Sequence, residues 1–326
     1  MDALSSYELS LISLGAIGFG IWLLVKGGDL TIDSAVRIAE TSGLSKIFIA
    51  LTIVAFGTSA PELVTSVNAN ISGFPGISVG NVIGSNIANV LMVIAVAAMI
   101  APVIIDRKEV RVDTAVMILA TVAMALAVWA GVLPRWGGLA LLAGIVAYVV
   151  YQYRANKVDL DEDEEGDDLP GNPYLMVTIG IMILVVGSEI LVQGAVVGGR
   201  ALGVTEAVIG MTVIAFGTSL PELTACVAAA RKGQSEMIVG GIVGSNIFNI
   251  MSVMALSAVV RPLMIEDRFA SFDLPVVLAV TAVFAIFLLF VGRIGRVAGV
   301  VMATAYLLFT VSQYSGVADI AVTAAY

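Results

Sequence analysis

The stretch AFGTSAPEL, residues 55–63, places a proline and a glutamate side by side inside a long apolar run. It returns as AFGTSLPEL at residues 215–223, which is 160 positions later (215 − 55). The match extends well beyond the motif, because 23 of the 51 residues from Thr52 to Pro102 are identical to their counterparts in Thr212–Pro262. The chain therefore contains an internal duplication. Each copy keeps a helix breaker and a carboxylate where an apolar segment ordinarily carries neither.

The composition is typical of a membrane protein. Of the 326 residues, 59% are hydrophobic and only 13% are charged, whereas about 25% of the residues of a soluble domain are charged. Apolar runs near the length that crosses a bilayer recur along the whole chain. We therefore predict an all-α membrane fold of ten transmembrane helices, at about residues 10–35, 47–71, 79–101, 112–133, 136–153, 174–199, 207–230, 236–260, 273–291 and 297–315.

An acidic stretch, DLDEDEEGDDLPGNP at 159–173, separates the first five runs from the last five. It is too polar to pack and indicates a solvated linker. We predict a first five-helix repeat at 1–156, an acidic linker at 157–172 and a second five-helix repeat at 173–326. Because five is odd, the second repeat must enter the membrane from the opposite side, which is the inverted-repeat layout of secondary transporters.

The basic residues indicate the orientation. With both termini outside the cell, eleven of the sixteen Lys and Arg residues fall on the cytoplasmic side, four fall outside and Lys26 lies within the first span. This distribution follows the positive-inside rule, and the reverse orientation violates it. We therefore predict a multi-pass protein of the cell (inner) membrane with a cytoplasmic acidic linker. The four outer residues are Arg135, Arg200, Arg261 and Arg268.

The repeated motif carries oxygen ligands. A proline frees the carbonyl four residues before it, so Pro61 and Pro221 each release a backbone oxygen inside the membrane. A carboxylate at that depth, here Glu62 or Glu222, marks a functional site. The next span of each half adds the polar motif GSNIANV at 84–90 or its counterpart GSNIFNI at 244–250. Carboxylates, amides, hydroxyls and carbonyls suit hard cations such as Na⁺ or Ca²⁺.

The remaining polar features have structural interpretations. Ser85 and Asn89 are four residues apart and share one helix face, as do Ser245 and Asn249. Asn86 and Asn246 lie one position off that face and are expected to bond between helices. Asp29 and its counterpart Glu189 are expected either to line an ion path or to pair with a polar neighbour. The chain has no histidine and a single cysteine, Cys226, which excludes Ser-His-Asp catalysis, zinc sites of the usual kind and disulfides.

Together, GTSAPE with GNVIGSNIANV and GTSLPE with GGIVGSNIFNI resemble the two α-repeats of the cation/calcium exchanger superfamily, most closely those of prokaryotic sodium/calcium exchangers. The resemblance implies an antiporter that exchanges Na⁺ for Ca²⁺ by alternating access, with the first and sixth spans as the moving gate. The glutamates would be the central calcium ligands, and the neighbouring hydroxyls, amides and carbonyls would complete the ion sites. The implied ligands are Glu62, Glu222, Thr58, Thr218, Ser59, Ser219, Ser85, Ser245, Asn89, Asn249, Ala55 and Ala215.

The same resemblance bears on the coupled ions. Potassium-dependent members carry Asp where this chain has Asn249, so potassium-independent exchange is expected, and a third Na⁺ would make transport electrogenic. We expect no cofactor apart from the transported Ca²⁺ and Na⁺, no nucleic-acid partner and no obligate protein partner. A proton/Ca²⁺ antiporter using the same glutamates remains the main alternative, followed by a cation channel. An intramembrane enzyme finds little support.

Overall fold

A computed structural model describes residues 6–155, 171–201 and 217–314. Within these ranges, eight helices are long and apolar enough to cross a membrane, and one further pair of helices forms a bent span. These elements coincide with nine of the ten predicted runs. The described part of the seventh run is the helix Leu220–Arg231. Residues 157–170 of the acidic linker and residues 202–216, which include Ala215, lie outside the described residues.

The helices follow the same order in both halves. The first half contains α1 (Ser6–Ser42), α2 (Lys46–Ile49), α3 (Ala55–Thr58), α4 (Ala60–Ile71), α5 (Pro75–Ala88), α6 (Ile94–Ile100), α7 (Arg111–Trp129) and α8 (Arg135–Ala155). The second contains α9 (Pro173–Ala201), α10 (Leu220–Arg231), α11 (Ser235–Phe248), α12 (Ala255–Val260), α13 (Leu274–Ile286) and α14 (Arg296–Tyr314).

The proline-glutamate motif breaks the helix that contains it. Helix α3 ends at Thr58, and α4 begins at Ala60 with a bend of 45° between the two parts of the span. Ser59, at the break, has φ −82° and ψ 8°, and Ser219 in the second copy has almost the same angles, −87° and 5°. Thr58 and Glu62 are four residues apart and would share one face of a continuous helix. The chain leaves helical geometry at Ser59, between them, so they do not lie on one continuous helix.

Wide π-helical turns follow the second polar motif of each half. They span Asn89–Val93 and Asn249–Met254, so a motif asparagine opens the turn in both copies. Further π segments are Ala50–Val54, Phe269–Asp273 and Phe287–Val291. Single π turns occur frequently at functional sites, because they change the direction in which side chains leave the helix.

Two short antiparallel ribbons join the halves and were not predicted. Strand β1 (Val103–Ile104) pairs with β4 (Arg293–Ile294), and β2 (Val132–Leu133) pairs with β3 (Leu263–Met264). Each ribbon thus contains one strand from each half. A left-handed glycine precedes β2 and β4, with φ 71° at Gly131 and 74° at Gly292, and its carbonyl accepts a bond from the opposite half. The ribbons are therefore counterparts under exchange of the halves, which the duplication explains.

The first helices of the two halves pack backbone against backbone. A Cβ atom on Gly20 would lie 2.8 Å from the backbone nitrogen of Leu191, and one on Gly27 would lie 2.9 Å from that of Leu184. The partner residues decrease as the α1 residues increase, so α1 and α9 run antiparallel. Such close contacts require glycine, since any larger residue would force the helices apart.

Candidate ion-binding site

The two glutamates of the repeated motif are buried at the start of α4 and α10. Glu62 is 1% exposed and Glu222 is 3% exposed. Each follows the proline at the beginning of its helix, where the positive end of the helix dipole favours an anion. Ser59, three residues before Glu62 and at the start of the same helix, donates its hydroxyl to Glu222, so the two copies of the motif are in direct contact.

These carboxylates lack a cationic partner among the described residues. The ion pairs found there involve neither Glu62 nor Glu222. The Oε1 atom of Glu222 accepts a hydrogen bond of 3.0 Å from Ser59 Oγ, while the Oε2 atoms of both glutamates are buried without any hydrogen-bond partner. Two adjacent buried carboxylates without a counter-charge are costly, and a bound cation would relieve that cost.

Four asparagines form a reciprocal network between α5 and α11. Asn89 Nδ2 donates to Asn246 Oδ1, and its counterpart Asn249 Nδ2 donates to Asn86 Oδ1, both at 3.1 Å. The Oδ1 atoms of Asn89 and Asn249 have no hydrogen-bond partner. The expected interhelical bonding of Asn86 and Asn246 is confirmed. Because each bond fixes an amide through its nitrogen, it leaves the oxygen available to a ligand.

The hydroxyl residues of the motifs lie in the same buried region. Thr58, Ser59, Ser219, Ser85 and Ser245 are each at most 5% exposed, and Thr218 is half-buried. The Oγ atom of Ser245 has no hydrogen-bond partner. A small cavity is lined by Thr58, Glu222 and Ser245 together with apolar residues, among them Ile32 of α1 and Cys226. The cavity therefore brings together residues from both copies of the first motif and from the second copy of the second motif.

The carbonyls of Ala55, an implied ligand, and of Gly217 already accept hydrogen bonds within the protein. The Ala55 carbonyl accepts the backbone N–H of Ser59 at 3.1 Å and the hydroxyl of Thr58 at 3.3 Å. The Gly217 carbonyl, which Pro221 frees, accepts a bond of 2.7 Å from Ser188 Oγ on α9. In this conformation, both carbonyls are satisfied by the protein.

The donor set of the site consists of oxygens and is suited to hard cations. Within the described residues, no group of three or more His, Cys, Asp or Glu residues is placed to hold a metal ion. The site thus offers two carboxylates, supplemented by neutral amide and hydroxyl oxygens.

Comparison with known proteins gives this geometry its context. The family model described as sodium/calcium exchanger protein matches residues 12–154 and 172–315, which is once in each half and most of the chain. The chain belongs to the sodium/calcium exchanger family. Members of this family are transporters, and the apolar helices agree with a multi-pass membrane protein.

Relatives and solved structures agree with this assignment. The exchanger is 31% identical to sodium/calcium exchanger MaX1 of Methanosarcina acetivorans, over 90% of this chain and 95% of that protein. It is 30% identical to inner membrane protein YrbG of Escherichia coli, over 83% and 87%. A structure of the sodium-calcium exchanger NCX_Mj matches with a TM-score of 0.81 at 30% identity, covering 94% of this chain and 99% of the other.

The exchanger also contains a second repeated carboxylate that sequence reasoning missed. Asp113 on α7 is 2% exposed and accepts bonds from Tyr148 (2.6 Å) and Gln152 of α8. Its counterpart 160 residues later, Asp273, is 5% exposed and accepts a bond from Gln313 of α14. The signal was present as an Asp in the fourth span and a Gln in the fifth span of each half. This signal lies outside the aligned stretch Thr52–Pro102. In that outer region, most other residues of the two copies differ.

Proposed function

We propose that this exchanger is a secondary-active antiporter that exchanges Na⁺ for Ca²⁺ across the cell membrane by alternating access. Family membership supports cation/Ca²⁺ exchange in general. The observation that supports this particular site is the set of buried oxygens without partners: Oε2 of Glu62 and Glu222, Oδ1 of Asn89 and Asn249, and Oγ of Ser245. These atoms belong to both copies of both motifs.

The proposed ligand set keeps the residues that the motifs imply. Glu62 and Glu222 bind Ca²⁺ centrally, and Na⁺ competes for the same carboxylates. The neutral ligands are Thr58, Thr218, Ser59, Ser219, Ser85, Ser245, Asn89 and Asn249, with the Ala55 and Ala215 carbonyls. For Ala55 to participate, its carbonyl must exchange one of its present hydrogen bonds for the ion.

The mechanism follows from the charge of the site. An empty site carries two uncompensated negative charges, which resist closure of an apolar cavity around them. One Ca²⁺ or two Na⁺ neutralise these charges, and a third Na⁺ leaves one positive charge. A filled site therefore permits α1 and α9 to move across it, and exchange results because Ca²⁺ and Na⁺ cannot occupy the glutamates together.

The proposed arrangement in the membrane is that of two inverted five-helix repeats, 1–156 and 173–326, with both termini outside and the acidic linker 157–172 in the cytoplasm. The ribbons joining each half to the other support a two-fold relation between the repeats. Ca²⁺ and Na⁺ are the substrates, and the protein is embedded in the lipid bilayer. This cycle needs no cofactor and no obligate protein partner.

The test is ⁴⁵Ca²⁺ uptake into proteoliposomes loaded with Na⁺ and diluted into Na⁺-free medium. Matched vesicles contain choline, with and without a pH gradient. We expect uptake only with internal Na⁺, abolished by Glu62→Gln and by Glu222→Gln but not by Glu266→Gln, which makes the same change at an exposed loop residue. Uptake driven by the pH gradient would instead favour a proton/Ca²⁺ antiporter. Uptake that needs neither gradient would favour a channel.

A further inference from the structure

The cytoplasmic end of α10 is joined to α1 by charge. Lys232 caps the C-terminal end of α10, and its Nζ lies 2.5 Å from Asp33 Oδ1 and 3.9 Å from Asp29 Oδ1. The same ammonium donates to the Asp29 carbonyl at 3.3 Å. One lysine therefore binds two consecutive turns of the first helix.

The two helices are also in close contact above this cluster. A Cβ atom on Gly28 would lie 3.0 Å from the Thr224 carbonyl of α10, so the glycine lets α1 approach the α10 backbone. Ile32, on the next turn of α1, lines the small cavity together with Glu222 and Cys226. Helix α1 thus covers α10 from the candidate ion site to its cytoplasmic end.

The second half lacks the equivalent charges. At the 160-residue offset, the counterparts of Asp29, Asp33 and Lys232 are Glu189, Gln193 and Ser72. Gln193 donates to Glu189 on its own helix at 2.9 Å. In the part of the chain that the structure describes, no ion pair joins α9 to the turn at Ser72.

The two halves also differ at the position where the first helix approaches the span that carries the glutamate. The counterpart of Gly28 is Ser188, which donates its hydroxyl to the Gly217 carbonyl. Two halves that share their site motifs therefore differ in how their first helices meet the broken spans. A two-fold repeated transporter needs such differences if one of its two conformations is to be the more populated.

We propose that Lys232, with Asp29 and Asp33, is a one-sided latch that holds the cytoplasmic pathway closed and so favours the conformation open to the outside. This proposal rests on the proposed orientation and on alternating access. Each ion pair is partly exposed, with 30% of the Lys232 side chain and 40–45% of the aspartate side chains accessible, so the latch biases the equilibrium modestly.

The chain carries its own reporter for this pathway. Cys226 is the only cysteine, is 5% exposed and lies on α10 between Glu222 and Lys232, under α1. When α1 leaves α10, the thiol becomes reachable from the cytoplasm. Its rate of modification by a membrane-impermeant thiol reagent therefore measures how often the inner side opens, and it requires no transport measurement.

The experiment compares labelling of Cys226 in inside-out and right-side-out membrane vesicles, in Ca²⁺ medium. We expect Lys232→Gln to raise the rate from the cytoplasmic face about twofold to fivefold, the effect of two partly exposed ion pairs. Lys232→Arg, which keeps the charge, is expected to label as the wild type does. Arg231→Gln is the matched control, because it removes the preceding cation of the same turn, for which no ion pair is found among the described residues.

Three results would overturn the latch. The first is an unchanged labelling rate in Lys232→Gln, and the second is an equal rise in Arg231→Gln. The third is a rise in Lys232→Gln that appears from the outer face instead of the cytoplasmic face. If Lys232→Gln does not fold, Asp33→Asn applies the same test from α1. Failure of the proposed function is separable, because it would appear as wild-type ⁴⁵Ca²⁺ uptake that ignores Na⁺. The labelling rates would be unaffected by that result.

Discussion

Ser59 of the first motif donates its hydroxyl to Glu222 of the second, with 3.0 Å between Oγ and Oε1. The bond crosses the molecule between residues 163 positions apart and joins the break in one span to the carboxylate of the other. Since Oε1 is held in this way, Oε2 is left without a partner and free to meet a cation. The serine therefore orients the carboxylate and still keeps lone pairs for an ion.

The Ser59–Glu222 bond predicts a specific loss on substitution. In Ser59→Ala the Glu222 carboxylate loses its oriented donor, and a hydrogen bond to a charged group is worth about 1.5–3 kcal/mol. We expect the internal Na⁺ concentration for half-maximal ⁴⁵Ca²⁺ uptake to rise about tenfold or more. Ser59→Thr, which keeps a hydroxyl, should retain most of the wild-type affinity. Equal behaviour of the Ala and Thr variants would argue against this role.

The asparagine network predicts an effect at a residue that is not itself a proposed ligand. Asn246→Leu removes the acceptor that fixes Asn89 Nδ2, so the Asn89 amide is free to turn its oxygen away from the site. Interhelical hydrogen bonds in membranes are worth about 0.6–2 kcal/mol, which corresponds to a roughly threefold to thirtyfold loss of apparent Ca²⁺ affinity. The measurement is the Ca²⁺ dependence of uptake.

The control for that variant is Ser78→Ala, on the buried face of α5. Its hydroxyl has no hydrogen-bond partner, so its removal should leave Ca²⁺ affinity close to that of the wild type. If both variants lose affinity equally, general loosening of the α5–α11 packing would explain the result better than reorientation of Asn89.

Much of the fold was predictable because the sequence contains the same five-helix unit twice. The duplicated motif and the apolar runs located the spans, and the Pro-Glu pair located the interruption at Ser59. The spacing could not give the geometry of the site, because a break at Ser59 and a π turn at Asn89 rotate side chains away from the positions of a continuous helix. The strand ribbons were missed because two-residue strands leave no periodic pattern.

The peripheral carboxylates had no local signal either. Asp113 and Gln152 lie on different helices, 39 positions apart, so no short motif connects them. In the second half the bond is repeated by Asp273 and Gln313, with Phe309 at the position of Tyr148 (309 − 148 = 161, as 313 − 152 = 161). The first half therefore keeps a second hydrogen-bond donor to its aspartate. In the second half, Arg268 Nη2 lies 3.9 Å from Asp273 Oδ2 and forms a partly exposed ion pair instead.

This difference predicts unequal stabilities. Gln313→Leu removes the glutamine bond of the buried Asp273, and such a loss costs about 1–3 kcal/mol of the free energy of unfolding. Gln152→Leu should cost less, because Tyr148 still donates to Asp113 at 2.6 Å, whereas the ion pair left to Asp273 is longer, at 3.9 Å, and partly exposed. Thermal unfolding of the purified exchanger in detergent measures both variants. Gln193→Leu, at an exposed glutamine of α9, should be nearly neutral. A larger loss from Gln152→Leu would contradict the argument.

The third Na⁺ of the proposed cycle, which the family resemblance implies, predicts that exchange carries current. Glu62 and Glu222 supply two negative charges, while Asn89 and Asn249 are neutral, so one Ca²⁺ cancels the charge and three Na⁺ exceed it by one. Each Ca²⁺ taken up by Na⁺-loaded vesicles would then move one net positive charge outward. One charge across 100 mV corresponds to about 2.3 kcal/mol.

With valinomycin and a K⁺ gradient, we expect an inside-positive potential to accelerate ⁴⁵Ca²⁺ uptake and an inside-negative potential to slow it. The same K⁺ concentrations without valinomycin should change little, since Asn249 leaves no third carboxylate for K⁺. Uptake that is indifferent to the potential would rule out a third Na⁺, and uptake that requires K⁺ in the absence of valinomycin would rule out potassium independence.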